Sequence, residues 1–459
     1  MGGFERNEAR FRHPGSLAQD PAFLKIFGRL NRYNPPMPAE FADLRIDARW
    51  TVPMSARDLV LEDHSLFVRA GRIEALVPRA EADRRPVPPT VVERPSHVLL
   101  PGLIDTATRT PLAALRGPLP RPRSLDPGVA DAGIALAIAQ MLTAGVTCFA
   151  DRSGFPDAVA RGATAFGMRA VIGAPVAEHA TARGPSLAAD LGAALALHDE
   201  YKDHPSISTA FAPAPIGDLT DAALERVKVL ADELDTTIVV DWPSSAEEVT
   251  DSLARHGRRP IERLQRLGLL NRSLRAVRLA CLEPAELRAV GESSIAASLC
   301  ASADLRRGAG LPPIAALRGA GLRLALGSDG GGSPGDFDLW RELRLCALAA
   351  SGAAQPLGAW EILAMATRDA AETLGIDRAV GTLESGKWAD LCCVEALGPS
   401  VPSPVDLVEQ LVFCGGRDIV RDVWIAGRPA VFRSQPTRFD WTEVRERASR
   451  ATRRLAAGG

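Results

Sequence analysis

Paired cysteines are missing from this sequence. Its seven cysteines are scattered with no Cys-x-x-Cys spacing, which speaks against a disulfide framework and for reduced core thiols in a cytoplasmic protein. Cys392 and Cys393 are adjacent in an apolar run and, as strand residues, must face opposite ways. Long apolar runs are also missing: none approaches the ~20 residues of a membrane span. The N-terminus has no apolar signal core with a small-residue cleavage site. Charge of one sign is absent, with 54 Lys and Arg against 56 Asp and Glu, so nothing points to nucleic acid or an anionic membrane. Histidine is scarce. The seven present (His13, His64, His97, His179, His198, His204 and His256) form no His-x-His or His-x-x-x-His pair.

What is present is length and alternation. A chain of 459 residues can bury one large core beside a smaller domain. Residues 1–42 are Arg-rich, and Phe23, Leu24, Phe27 and Leu30 share a helical face. That extension reads as an arm packed on its own barrel or, through residues 21–33, as a helix docking a protein partner. From residue 43 to 96 short strand patterns follow, with Gly71 at a hairpin turn; similar patterns recur at 381–436. Between them, apolar runs alternate with helical segments, including Val129–Ala144 closed by Gly145 and Asp221–Leu234 capped by Thr220. Seven runs (146–152, 169–176, 208–216, 236–243, 274–280, 294–301 and 322–329) join the stretch at 97–104 to make eight. Eight strand–helix units predict a TIM-type (β/α)8 barrel over 97–380, with a C-terminal helix over 437–459.

Two stretches carry a family resemblance. Residues 101–117, PGLIDTATRTPLAALRG, and 381–391, GTLESGKWADL, are similar to the first barrel strand and the GSLE-GK-ADL signature of the amidohydrolase superfamily. The branch they resemble is the chlorohydrolase and aminohydrolase branch that includes methylthioadenosine/S-adenosylhomocysteine deaminases. The resemblance spans roughly 43–436 and implies that both chain ends build one small β-sandwich, over 43–96 and 381–436. It also implies a zinc or iron centre held by strand-end histidines and a carboxylate. Mapped onto this chain, the strand-1 pair falls on Ala107 and Arg109, and the position after strand 4 on Ala214. The strand-5 His-x-x-Glu falls on Asp241-Trp242-Pro243-Ser244, and strand 6 on Arg278. Only the strand-8 carboxylate, Asp329 in GSDGGGSPGDFDL, is retained. Guanidinium carries no lone pair for a metal.

These substitutions set the expectations. Arg109, Arg278, Asp241 and Asp329 converge with Ser244 as a candidate ligand site, Asp241 and Asp329 being the candidate catalytic groups. Two arginines and two aspartates sum to zero. They read as a salt-bridged plug, as an arginine pair holding a small anionic ligand, or as metal-free chemistry with an aspartate as general base. No metal cofactor is expected. The leading functional expectation is a degenerate homologue without catalysis, serving as subunit, scaffold or anion-binding protein, in a homo-oligomer. The alternative is a hydrolase acting on C–N bonds, deaminase- or amidase-like, or a metal-independent enzyme on a small polar substrate.

Overall fold

Two sheets part company at Gly102. The apolar run before it, Val98–Leu100, ends β4 (Thr90–Pro101), and the run after it begins β5 (Leu103–Thr108). The sequence reading merged both into one barrel strand; the structure gives the first to the smaller sheet. Gly102 makes the transfer because a Cβ there would lie 2.1 Å from Thr147 Oγ1. The computed structural model describes residues 43–458 apart from 116–124, 180–184, 244, 281, 331–336, 353–355 and 397–403. The extension at 1–42, including the stretch 21–33 expected as a partner-docking helix, lies outside the described residues.

After β5 the barrel strands are β6 (Val146–Asp151), β7 (Arg169–Val176), β8 (Ile207–Pro213), β9 (Ile238–Asp241), β10 (Leu274–Val277), β11 (Ala296–Leu299) and β12 (Arg323–Leu326). They lie in sequential order, each parallel to the next. Closure comes at the β12–β5 seam, where Thr106 Oγ1 donates to the Leu326 carbonyl and Asp329 N to the Ala107 carbonyl, both at 2.8 Å. The seam is tight: a Cβ at Gly327 would meet that of Ala107 at 2.6 Å. Strands covered on both faces read as near-continuous apolar runs, as β6 does. Local chemistry sets the helices. Asp126 caps Pro127–Thr143 by accepting from Gly128 N and Val129 N, and Gly145 takes the left-handed backbone at φ +85 that lets the chain enter β6. Thr220 caps Asp221–Glu233 through Ala223 N.

Both chain ends build the second sheet. β1 (Leu44–Thr51), β2 (Leu61–Arg69) and β3 (Arg72–Pro78) join β4 from the N-terminal side. From the other end come β13 (Leu391–Glu395), β14 (Val420–Ile425), β15 (Arg428–Phe432) and β16 (Gln435–Pro436). Hydrogen bonds link all eight in one continuous mixed sheet, with β13 antiparallel to β4. Cys392 and Cys393 in β13 are both buried, one against Gly145 of the barrel, the other among Ile46, Leu66 and Trp424 of the sheet core. A buried pair ties sheet to barrel: Arg169 Nε of β7 donates to Asp390 Oδ2 at 3.0 Å, and Asp390 Oδ1 accepts from Ala426 N at 2.8 Å. The helix Trp441–Gly458 lies against Pro127–Thr143 and against the turn Thr110–Leu115, where Thr452 Oγ1 donates to the Ala114 carbonyl at 2.7 Å. Among the described residues no helix is long and apolar enough to cross a membrane.

Candidate functional site

In a (β/α)8 barrel the loops after the strands' C-terminal ends carry the chemistry. Here those ends deliver charge. Asp241 is the last residue of β9; Arg109, Arg152 and Arg278 each follow the last residue of β5, β6 and β10 directly. Asp329 stands three residues past β12, and Arg307 follows the short helix Ala301–Arg306 after β11. Asp151 at the end of β6 sets the first two arms. Its Oδ2 accepts from Thr110 N at 2.6 Å, Thr110 Oγ1 at 2.8 Å and Thr108 Oγ1 at 3.1 Å, and its Oδ1 from Ser153 N at 2.8 Å. The residues either side of Arg109 and of Arg152 are thereby pinned.

The side chains form a chain of ion pairs. Asp241 Oδ2 accepts from Arg109 Nη2, and its Oδ1 accepts from Arg152 Nε at 2.9 Å. Arg152 Nη2 then reaches Asp329 Oδ1, and Arg307 Nη2 donates to Asp329 Oδ2 at 2.7 Å. All four carboxylate oxygens are thus taken by guanidinium groups. Arg278 stands beside this chain without joining it. Its terminal nitrogens lie 3.6 Å from Asp241 Oδ1 and 4.0 Å from Asp329 Oδ2, and its Nε is buried without a hydrogen-bond partner. The backbone there is unusual, with Arg278 at φ +80, Leu279 at φ +114 and Asp329 at φ +50. Left-handed backbone at residues other than glycine clusters at functional sites. The Arg152 and Asp329 side chains are nearly sealed, whereas those of Arg109 and Arg307 remain 31% and 29% exposed.

Electrostatics fixes the protonation states. Burial alone would raise both aspartates. For Asp241 the guanidinium groups of Arg152, Arg109 and Arg278 outweigh it, and for Asp329 those of Arg152, Arg109 and Arg307, so both carboxyls lie well below the ordinary range. Burial likewise opposes the charge of Arg152, but Asp241 and Asp329 raise it above its ordinary value. A carboxylate this acidic, with its oxygens already bonded, is a poor proton acceptor at neutral pH. In this arrangement Asp241 and Asp329 anchor arginines through all four of their carboxylate oxygens. Beneath them lie carboxyls of the opposite kind. Burial pushes Asp304 up to about 6, Asp105 to about 7 and Glu342 to about 8. Asp105 accepts from Ser328 Oγ at 2.6 Å and Ser328 N at 3.0 Å; Glu342 accepts from Ser302 Oγ and from Ser302 N at 3.1 Å. Both Asp304 oxygens are buried without a hydrogen-bond partner.

The four charged residues expected from sequence do come together; Ser244 lies outside the described residues. Arg152, Arg307 and Asp304 were missed. Arg152 had a readable signal, an arginine directly after a strand, whereas Arg307 and Asp304 come from a helical segment that only the fold brings to the mouth. The described histidines bond elsewhere or face solvent: His64 with the Glu62 carbonyl, His198 with Thr209 Oγ1 and His256 with the Gly217 carbonyl, while His179 is exposed. Among the described residues no group of three or more His, Cys, Asp or Glu side chains could hold a metal ion.

Comparison with known proteins corrects two expectations. Residues 98–430 match the profile of the amidohydrolase family. The chain is 30% identical to 5-methylthioadenosine/S-adenosylhomocysteine deaminase of Teredinibacter turnerae over 434 residues, covering 90% of this chain and 98% of that one. The Saccharophagus degradans protein of the same name is also 30% identical, over 89% of this chain and 95% of that one. Among solved structures, an adenosine deaminase from Xanthomonas campestris with bound zinc superposes with a TM-score of 0.87 at 35% identity, covering 92% of this chain and all of that one. End-to-end similarity to proteins named as deaminases overturns the expectation of a degenerate homologue without catalysis, serving as subunit, scaffold or anion-binding protein. The zinc in the Xanthomonas structure overturns the expectation that no cofactor belongs to this chemistry. The motif reading rested on six positions, and six positions weigh less than a match over 434 residues.

Proposed function

This chain belongs to the amidohydrolase family, and from that premise we propose that it is a hydrolase of carbon–nitrogen bonds, of the deaminase type. It acts on a small polar substrate at the C-terminal mouth of its barrel. The observation that carries the reading is the match, over nearly the full length of both chains, to proteins named as deaminases. Adenine nucleosides and their thioether derivatives, the compounds in those names, are the first substrates to try.

The family implies a divalent metal, so the donor set matters. Among the described residues, Asp241 and Asp329 are the carboxylates at the centre of the mouth, and each of their oxygens already accepts from Arg109, Arg152 or Arg307. As packed, these residues do not fit a divalent cation: two carboxylates ringed by guanidinium groups offer no open coordination position and a repulsive field. The steps assigned here therefore use the chain's own groups. Hydrolytic deamination adds water to a carbon bearing an amino group, passes through a tetrahedral species with extra electron density, and expels ammonia. Positioned donors aimed at that density are the largest single source of stabilisation in such reactions. Arg109 and Arg307, the half-exposed arms, are the donors a substrate can reach; Asp241, Arg152 and Asp329 hold them in place. Proton transfer near neutrality falls to groups other than Asp241 and Asp329, which stay ionised.

The test is ammonia release from a panel of 5-methylthioadenosine, S-adenosylhomocysteine, adenosine and simple amides, with zinc added in one arm and chelator in the other. The expected result is turnover of at least one compound, reduced about 100-fold in kcat/KM by Arg109→Gln. No release from any compound in either arm overturns the proposal.

A further inference from the structure

Among the described residues, the charge at the barrel mouth does not balance. Counting two arginines and two aspartates from the sequence gives zero, but the fold adds Arg152 and Arg307. Arg109, Arg152, Arg278 and Arg307 now face Asp241 and Asp329, an excess of two positive charges. Counting Asp304, which interacts with Arg278 and Arg307 but bonds neither, still leaves an excess of one. A guanidinium group taken out of water without a hydrogen-bonded partner costs several kcal/mol, so folds rarely retain one idle.

The idle donors can be named. Arg278 is 6% exposed, its side chain makes no hydrogen bond among the described residues, only the 3.6 and 4.0 Å approaches to Asp241 and Asp329, and its Nε is buried and unpartnered. Arg109 Nε is buried without a hydrogen bond, 3.4 Å from Asp329 Oδ1, while Arg307 spends one Nη on Asp329 and remains partly open. Three guanidinium edges border the same pair of carboxylates, and two of these side chains reach solvent. Planar forks with spare N–H groups match oxyanion geometry.

We propose that Arg109, Arg278 and Arg307 form an anion-binding subsite at the barrel mouth that takes an oxyanion, a carboxylate or a phosphoryl group, above the Asp241–Arg152–Asp329 ion pairs. The bound anion supplies the partners that Arg278 lacks and neutralises the excess charge. The subsite rests on the packing of the mouth and not on the reaction proposed for it.

Equilibrium binding tests it directly. The full-length protein, in a low-salt buffer free of phosphate and carboxylate, is titrated calorimetrically with inorganic phosphate in one arm and with acetate and succinate in the other. Saturable binding in either arm is expected, weakened roughly tenfold or more by Arg278→Gln and by Arg307→Gln, and unchanged by Arg450→Gln on the distant C-terminal helix. The arm that binds identifies the oxyanion. If Arg278→Gln does not fold, the partly exposed Arg307 carries the comparison. The proposal is overturned by absence of binding in both arms, or by affinity that neither mouth variant alters. Because ammonia release is not the readout, deamination without anion binding would overturn the subsite alone. Anion binding without deamination would overturn the reaction alone.

Discussion

Asp329 keeps its charge because Arg152, Arg109 and Arg307 outweigh the burial that would neutralise it. Removing that charge leaves Arg152, whose side chain is only 5% exposed, with Asp241 alone as its carboxylate partner, and takes the carboxylate from Arg307 as well. Asp329→Asn should therefore cost on the order of 3 kcal/mol in urea denaturation at neutral pH. The sign with pH follows from the lowered carboxyls. The stability that Asp241 and Asp329 supply is present above their ordinary range, near pH 4, and is lost as pH falls through their depressed values. Glu342 runs the other way. With its folded-state value raised to about 8 from an ordinary 4.5, the native protein holds a proton that the unfolded chain has released, so stability declines as pH rises from 4.5 to 8. Glu342→Gln should remove roughly 4 kcal/mol of that decline, leaving the losses due to Asp304 and Asp105; denaturation at pH 5 and pH 8.5 measures it. At this scale Arg109, Asp241, Arg278 and Asp329 were readable because they fall on the positions where the family resemblance implies metal ligands; Arg152 follows a strand end just as directly but falls on no such position. The sequence could not show Arg307 or Asp304, whose approach to the mouth depends on the direction of the helix Ala301–Arg306. Losing sight of them made an unbalanced site look neutral.

The elements were legible where local chemistry sets them. β7 occupies the residues its apolar run predicts, and the Thr220 cap and the Gly145 exit stand as the side chains imply. Strands β9 to β12 are shorter than their apolar runs, each only four residues, because the chain leaves the sheet to deliver its loop. The transfer at Gly102 was hidden, since a continuous apolar stretch cannot reveal which sheet each half joins. It has a direct consequence: Gly102→Val drives a branched side chain into Thr147, which would already sit 2.1 Å from a bare Cβ. A loss of about 3 kcal/mol is expected, the upper range for overpacking, visible as a lowered thermal midpoint. Gly102→Val with Thr147→Ser should recover part of it, because Ser removes the methyl group that lies 2.3 Å from that Cβ.

Across the whole molecule, the pairing of β4 with β13 joins segments about 290 residues apart, and no local periodicity carries that information. Only the family resemblance made the two-ended sheet readable. The Arg169–Asp390 pair fastens this sheet to the barrel, with both side chains buried. Asp390→Ala leaves buried Arg169 without its carboxylate, holding only the Pro205 carbonyl, and frees Ala426 N. A cost of about 3 kcal/mol is expected, with earlier hydrogen exchange in β13 and β14 than in β6 to β8. Uniform exchange across both sheets would show that the pair does not couple them. Whole-chain similarity also corrected what single motifs suggested, since the altered strand ends pointed away from catalysis and the relatives point toward it.

The most direct measurement is ammonia release from 5-methylthioadenosine and S-adenosylhomocysteine by the full-length protein, run in parallel with added zinc and with chelator. The account predicts ammonia in step with substrate loss in at least one arm, strongly reduced by Arg109→Gln. Intact substrates in both arms, from protein shown to be folded, would contradict it.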